Sequence, residues 1–420
     1  MMSTRITAHY LIETAHDPAA AAEMMAGEQS AGTFVKVPGE TPELLAAHGA
    51  RVEALTLLES VDTASLAGSK PPKGFAGTYQ RARVTLSFPF ENIGASLTAL
   101  CTAVAGNLFE LSPFSGLKLL DVEIPAEIAA AYPLPQFGIE GTRRLSGVWD
   151  RPLFGTIIKP SVGLTPDQTA GLVQTLCEAD LDFVKDDELQ TNSPHSPLEA
   201  RVKAVMHVVN QHAERTGKKL MYAFNVTGDL DEMRRGHDVV LAHGGTCIMV
   251  NMVSVGLVGV TELRRHSQLP IHGHRAGWGM FSRHPLLGIE YPAFSKFMRL
   301  AGCDHLHVNG LRNKFCETDT SVIAAARDLL TPMPRVSALA MPVFSSGQSA
   351  KQIPDTYAAL DSMDWLYLAG GGIMAHPDGA AAGVRALQQA WEAARMGTPL
   401  AEFARSHAEL AGALERFGGG

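Results

Sequence analysis

From Arg151 onward the sequence alternates short apolar runs with amphipathic segments, and this alternation constrains the fold more than any other feature. The runs are Gly155-Lys159, Phe183-Glu188, Leu220-Val226, Thr246-Met252, Leu269-Arg275, His305-Asn309, Leu339-Ser345 and Trp365-Ala369, eight in all. Eight strands with intervening helices predict a closed (β/α)₈ TIM barrel. Two intervening segments, Thr165-Pro166-Asp167-Gln168 and Ser196-Pro197-Leu198-Glu199, have capping-box spacing with proline at the first helical position. After the second, Val202, Val205, Met206 and Val209 form a stripe at helical spacing that predicts packing on the barrel. A doubly wound open sheet is the competing architecture, but no Gly-x-Gly-x-x-Gly follows a strand to support it.

Ahead of the barrel, Thr4 to Glu13, Arg51 to Ser60, Tyr79 to Phe90 and Leu117 to Ile124 read as strands. Pro18 to Met25 reads as a helix capped by Asp17, and Gly94 to Val104 as a second helix with Leu97, Leu100, Cys101 and Val104 on one face. This order predicts an α+β unit of ferredoxin-like type. The proline-rich stretch Pro125 to Pro135 marks the boundary, giving an N-terminal domain over 1–135 and a barrel domain over 136–420.

With 420 residues and 46% hydrophobic content, the chain has ample core material for both domains. No segment has the roughly 18 uninterrupted apolar residues that a membrane span requires, and no basic leader precedes an apolar run, so a cytoplasmic location is expected. The five cysteines are scattered, which predicts reduced thiols and no zinc site. A net charge of −8 without a Lys/Arg block argues against nucleic acid and points to small phosphorylated acids.

In such a barrel the C-terminal strand ends share one mouth, so residues far apart in sequence can be grouped. Phe183-Val184-Lys185-Asp186-Asp187-Glu188 runs an apolar pair into a lysine and three carboxylates. The strand period puts Lys185 and Asp187 on one side, with Glu188 entering from the following loop. Those oxygens suit a hard cation such as Mg²⁺, and a deprotonated lysine amine that adds CO₂ becomes a carbamate with two acceptor oxygens. The alternative is a salt-bridge cluster of Lys185 with Asp186 and Asp187. Lys159, between Ile158 and Pro160, reads as a buried functional lysine or as a solvated strand end. The pairs His272/His274 and His305/His307 are expected to place one ring in the mouth and one in the barrel wall, leaving His274 and His307 as the site residues. Arg275 is a wall salt bridge or a fork that clamps an anion. Ser345 ends the seventh strand. Ser346-Gly347 and Gly370-Gly371 are plain turns or the phosphate-binding backbone of the last two strands, and His376-Pro377 is expected to open a helix beside them.

Together these residues resemble the RuBisCO large-subunit superfamily over nearly the whole chain. The resemblance is carried by Gly155-Thr156-Ile157-Ile158-Lys159-Pro160 with Gly163-Leu164, by Lys185-Asp186-Asp187-Glu188, His274-Arg275, His307 and Ser345, and by Gly370-Gly371-Gly372 with His376-Pro377. It implies Mg²⁺ held by a CO₂-derived carbamate on Lys185 with Asp187 and Glu188, Lys159 as acid/base and Lys314 on a mobile loop. It also implies a homodimer, or a higher oligomer of dimers, in which Glu28, Thr33 and Asn107 complete a neighbour's site. Departures set the subgroup: Ser161 replaces a second lysine, Phe34 a tryptophan and Ser346 a glycine, and the loop Asn313-Lys314-Phe315-Cys316-Glu317 lacks the flanking glycine and first glutamate. The chain therefore resembles the RuBisCO-like proteins of form IV type and is not expected to fix CO₂.

The function expected from this resemblance is Mg²⁺-dependent removal of a carboxylate from a phosphorylated 3-oxo sugar acid such as 3-oxo-isoapionate 4-phosphate, by decarboxylation or by transcarboxylation/hydrolysis. Arg275, His307 and Ser345 are expected to fix one anionic end, and Thr33, Gly347, Gly370 and Gly371 the other. The alternatives are the enolase or isomerase chemistry of methionine salvage and a non-catalytic ligand-binding protein. The retained lysines and metal ligands weigh against a silent binder.

Overall fold

A computed structural model describes residues 4–32, 37–333 and 336–418. The chain divides into two compact units: one holds residues up to Tyr132 with Trp278–Phe297 and Met333–Ser337, and the other holds Pro133–Gly277, Met298–Pro332 and Ala338–Gly420.

The first unit contains β1 (Arg5–Thr14), β2 (Arg51–Val61), β3 (Tyr79–Pro89) and β4 (Phe114–Glu123), at the places the alternating pattern predicts. In β1, Ile6, Ala8, Tyr10 and Ile12 are buried at every second position, as the period of two requires on a half-buried sheet. The helix Pro18–Glu28 starts where expected, the Asp17 carboxylate accepting from Ala20 N at 2.9 Å. The second helix begins later than its apolar face suggests, at Leu97 and not at Gly94. Gly94 has a positive φ of 64°, and the Ser96 hydroxyl caps the helix by accepting from Ala99 N.

The second unit supplies β5 (Leu153–Ile157), β6 (Phe183–Lys185), β7 (Met221–Asn225), β8 (Cys247–Asn251) and β9 (Ile271–His274). A short strand of the first unit, β10 (Leu287–Ile289), runs parallel to β4 as the edge of a sheet ordered β10-β4-β1-β3-β2. Only glycine fits the centre of β10: Gly288 has φ +97°, and a Cβ there would lie 1.8 Å from Phe281 O. The remaining strands, β11 (His305–His307), β12 (Met341–Phe344) and β13 (Leu366–Leu368), return to the second unit.

Those eight parallel strands close in the order β11-β12-β13-β5-β6-β7-β8-β9, so the open doubly wound sheet is excluded. Alternate residues of successive strands, among them Leu153, Phe183, Met221, Met249, Val343 and Leu366, fill the interior. Thr165 and Gln168 form the expected capping box on the helix Pro166–Glu178. Ser196 does not cap the next helix, Leu198–Thr216, whose N-cap is Pro197. The Ser196 hydroxyl and carbonyl instead accept from the buried Arg201 guanidinium at 3.3 and 2.7 Å.

Candidate active site

Because Phe183 points into the barrel core, the strand period sends Lys185 the same way and turns Val184 and Asp186 outward. Lys185 is 1% exposed, its Nζ donating to Asp186 O at 3.0 Å and reaching Glu188 Oε2 at 3.4 Å. Burial lowers the pKa of its ammonium, with the Glu188 and Asp187 carboxylates opposing that shift. Asp186 plays a different part. Its Oδ2 accepts from Arg201 Nε and Nη2 at 3.2 and 3.1 Å and from Asn225 N at 2.9 Å, while Oδ1 accepts from Tyr222 OH at 2.6 Å. The first of the three carboxylates thus ties the strand end to the surrounding helix and leaves Asp187 and Glu188 facing the mouth.

Asp187 Oδ2 accepts from Lys159 Nζ at 2.6 Å, and Oδ1 accepts from Leu189 N at 3.1 Å. The Lys159 side chain is 43% exposed, so the buried lysine expected from its apolar flanks is not found; the chain turns outward after β5. Its second partner is Ser161 Oγ at 2.9 Å. Glu188 Oε2 lies 3.5 Å from His274 Nε2. The His274 Nδ1 accepts from Ala276 N at 3.2 Å, which leaves the proton on Nε2, facing the carboxylate. Burial opposes the negative charge on Glu188, but the Lys185 charge and hydrogen bond, a backbone hydrogen bond and the Lys159 charge together keep the carboxyl pKa below the usual range.

Asn225 and Asn251 were missed by the sequence reading, although each ends a barrel strand as Lys185 does. The Nδ2 of each donates to Glu188 O, at 3.2 and 3.0 Å. Among the described residues, Asn251 Oδ1 is buried without a hydrogen-bond partner.

The four histidines correct the expectation of one mouth ring and one wall ring on each strand. Residues two apart on a strand share a face, so the rings lie inside the barrel at successive depths. Three of them, without His274, form a row: Thr142 Oγ1 meets His305 Nε2 at 2.7 Å, His305 Nδ1 meets His272 Nδ1 at 3.2 Å, His272 Nε2 meets His307 Nε2 at 2.7 Å, and His307 Nδ1 meets Ser345 Oγ at 3.0 Å. Burial depresses the pKa of all three imidazoles, which favours their neutral forms.

Arg275 Nη2 pairs with Glu317 Oε2 at 2.5 Å, a partner the sequence reading did not assign. Asn309 Nδ2 donates to the same oxygen at 2.7 Å, and Ser321 Oγ to Oε1 at 2.9 Å. Lys314 is exposed; its backbone N donates to Ser346 O at 3.2 Å, which brings its loop beside Gly347. Gly370 and Gly371 open the short helix Gly370–Met374 directly after β13, and a Cβ on Gly371 would meet no heavy atom within 4 Å. The next helix starts at Ala380 and not at His376-Pro377, because His376 spans the turn by accepting from Asp378 N at 3.1 Å and donating to Glu409 O at 2.8 Å.

Glu28 and Asn107 lie in the other unit, both exposed. The side chain of Gln29 joins their segments: with its amide oriented to satisfy both neighbours, Oε1 accepts from Asn107 N at 2.9 Å and Nε2 donates to Thr102 O at 3.0 Å. Thr33 and Phe34 lie outside the described residues. Among the described residues, the His/Cys/Asp/Glu group close enough to hold a metal is His237, Asp238 and His266, on helices leading into the amino-terminal end of the barrel. Its geometry is that of a hydrogen-bonded triad: His237 Nε2 accepts from Gln268 N at 3.0 Å, so Nδ1 carries the proton toward Asp238 at 2.9 Å. No helix among the described residues is long and apolar enough to cross a membrane.

The catalytic-domain model of the ribulose bisphosphate carboxylase large chain matches residues 138–417, and the N-terminal-domain model matches residues 3–128. A 3-oxo-isoapionate-4-phosphate transcarboxylase/hydrolase of Xanthobacter autotrophicus is 55% identical over 98% of this chain and 99% of its own length. A 3-oxo-isoapionate-4-phosphate decarboxylase of Rhizobium etli is 43% identical, with 99% of both chains covered. The crystal structure of a rubisco-like protein from Burkholderia fungorum superposes with a TM-score of 0.92 at 45% identity, covering 98% of this chain and 99% of that one. With both domain models matched and relatives of 43–55% identity covered almost end to end, the chain belongs to the RuBisCO large-chain family, among its RuBisCO-like members.

Proposed function

We propose that the protein removes the carboxylate of a phosphorylated 3-oxo sugar acid, 3-oxo-isoapionate 4-phosphate being the candidate, with Mg²⁺ as its cofactor. The observation that carries this reading is the buried Lys185 amine beside the Glu188 carboxylate, with the Lys159 ammonium 2.6 Å from Asp187. The donor set fits a hard cation once Lys185 carries CO₂. An inner ammonium becomes an anion, three oxygen-bearing groups then converge, and the buried Asn251 Oδ1 is an acceptor suited to a water in the same shell. Mg²⁺ bound by the Lys185 carbamate, Asp187 and Glu188 would supply a Lewis acid that favours the enolate left when a β-keto acid loses CO₂.

The protein's own groups do the rest. His274 orients Glu188, and Asp186 with Arg201 holds the strand end that presents Asp187. Lys159, 43% exposed at the mouth, delivers a proton to the carbon that has lost the carboxylate, and Ser161 keeps its Nζ directed there. Lys314 reaches over the departing carboxylate from its loop. The backbone N–H groups at Gly347, Gly370 and Gly371, with Thr33, hold the phosphate, since glycines allow an anion to approach the backbone closely. We further propose a homodimer in which Glu28, Thr33 and Asn107 of one subunit complete the site of the other, and the domain boundary near residues 133–136.

The test is an assay of the Mg²⁺- and bicarbonate-treated protein on 3-oxo-isoapionate 4-phosphate, beside ribulose 1,5-bisphosphate with CO₂ and the diketone phosphate of methionine salvage. Released CO₂ and stoichiometric ketose phosphate from the first substrate alone are expected. Enolisation of the diketone with no carboxylate loss from the oxo acid would overturn the reading.

A further inference from the structure

The row of histidines fixes which hydroxyls at one end of the barrel mouth can donate. Thr142 has a single hydroxyl proton and gives it to Gly138 O, so toward His305 it is an acceptor and His305 carries its proton on Nε2. His305 Nδ1 must then accept from His272 Nδ1–H, and His272 Nε2 from His307 Nε2–H. That leaves His307 Nδ1 as an acceptor, and its partner Ser345 must spend its only proton there. The neutral rings this pattern needs are those expected of side chains at most 2% exposed. Ser346 is in the same condition, its hydroxyl donating to Asn309 Oδ1 at 2.9 Å. Both serine oxygens therefore offer lone pairs and no proton. The nearby cation is also committed, since Arg275 is neutralised by Glu317 at 2.5 Å.

An anion placed here would meet two lone-pair-bearing oxygens, a neutral imidazole with both nitrogens engaged and a carboxylate already on the guanidinium. A sugar hydroxyl would find acceptors for its proton. We infer that the Arg275, His307 and Ser345 end of the mouth binds a neutral, hydroxyl-bearing end of the substrate, and that Glu317 makes this end reject a second phosphate. This inference rests on the reading that the mouth takes a phosphorylated sugar acid, and it narrows that class to monophosphates whose far end is a hydroxyl or hydroxymethyl group. It departs from the two-anion arrangement that the strand-end residues suggest in sequence, because the sequence does not show where each proton and counter-charge is spent.

The test is calorimetric binding of erythritol 4-phosphate and erythritol 1,4-bisphosphate to the full-length protein treated with Mg²⁺ and bicarbonate. The monophosphate is expected to bind at least about tenfold more tightly, and Glu317→Gln to reduce that ratio by about tenfold or more by releasing Arg275 to the second phosphate. Neutron diffraction from the wild type is expected to place hydrogen on His305 Nε2, His272 Nδ1 and His307 Nε2. Equal or tighter bisphosphate binding by the wild type, a ratio unmoved by Glu317→Gln, absence of binding by either ligand, or hydrogen on His307 Nδ1 would each overturn the inference. Turnover of the oxo acid is measured on the same preparation. A preserved ligand preference without turnover would sink the reaction assignment and leave this subsite standing.

Discussion

Lys159 Nζ lies 2.6 Å from Asp187 Oδ2, so the residue assigned to move a proton and the residue assigned to hold the metal share a contact. The ammonium neutralises the carboxylate while Lys185 carries a positive charge of its own. Conversion of Lys185 to an anionic carbamate adds a second claimant for that positive charge. Lys159→Met should therefore cut turnover by about 10² to 10⁴, the range for loss of a general acid or base, while Mg²⁺ still binds. Steady-state kinetics beside metal-binding calorimetry checks this, and near-normal turnover would remove Lys159 from the proton-transfer role.

Lys185 is the second prediction. Protein labelled with ¹³C-bicarbonate and Mg²⁺ should show a carbamate carbon resonance that is absent from Lys185→Ala. The variant should keep its circular dichroism spectrum and lose bicarbonate-dependent metal binding. A carbamate signal that survives in Lys185→Ala would place the modification on another lysine.

Asp186 and Arg201 are each 1% exposed and paired at 3.1 Å. Asp186→Ala leaves a guanidinium buried without its counter-charge, and a loss of about 3–5 kcal/mol is expected. Metal binding should weaken as well, because the same carboxylate anchors the strand end that carries Asp187. Denaturant unfolding gives the first quantity and calorimetry the second; a stability change within about 0.5 kcal/mol would show the pair to be dispensable.

The acid side of the stability profile should be shaped in part by Asp182, whose carboxylate is 1% exposed. Burial works against its charge, but Arg151 at 2.5 Å and Lys218 at 3.0 Å outweigh that and hold its pKa below the usual carboxylate value. A folded-state pKa lower than the unfolded one adds stability that is present above about pH 3.9 and is lost as pH falls through the folded value. Melting temperature measured against pH should fall on that side for the wild type, and Asp182→Asn should flatten the fall. An unchanged slope in the variant would assign the acid sensitivity elsewhere.

The proposed composite site predicts complementation. Subunits carrying Lys185→Ala and subunits carrying Asn107→Ala should each be inactive, and co-refolded mixtures should recover activity, because one mixed interface contains an intact set. Absence of recovery in a mixture shown to contain heterodimers would exclude the shared site.

The barrel was legible in the sequence because its strands are short apolar runs separated by helix signals, a local pattern that survives without knowledge of contacts. The carboxylates and lysines of the mouth were legible for a related reason, since polar residues closing buried strands mark one end of such a barrel. Period-two reasoning predicts Lys185 and Asp187 on one side; applied to the histidines, it puts His272 and His274 on one face.

Other features depended on tertiary contacts. Residues 278–297 join the first unit's sheet through β10, a pairing between segments distant in the chain that no local pattern encodes. Whether Arg275 clamps a ligand or neutralises Glu317 is decided by the position of Glu317, 42 residues away. The direction of every proton between Thr142 and Ser345 is set by one threonine bonded to a carbonyl across a helical turn. Residue type and spacing determined which groups reach the barrel mouth. Only the packed structure decided which of their charges and protons are already committed to one another, because hydrogen bonds and ion pairs depend on distances of a few ångströms between residues whose separation in sequence carries no such information.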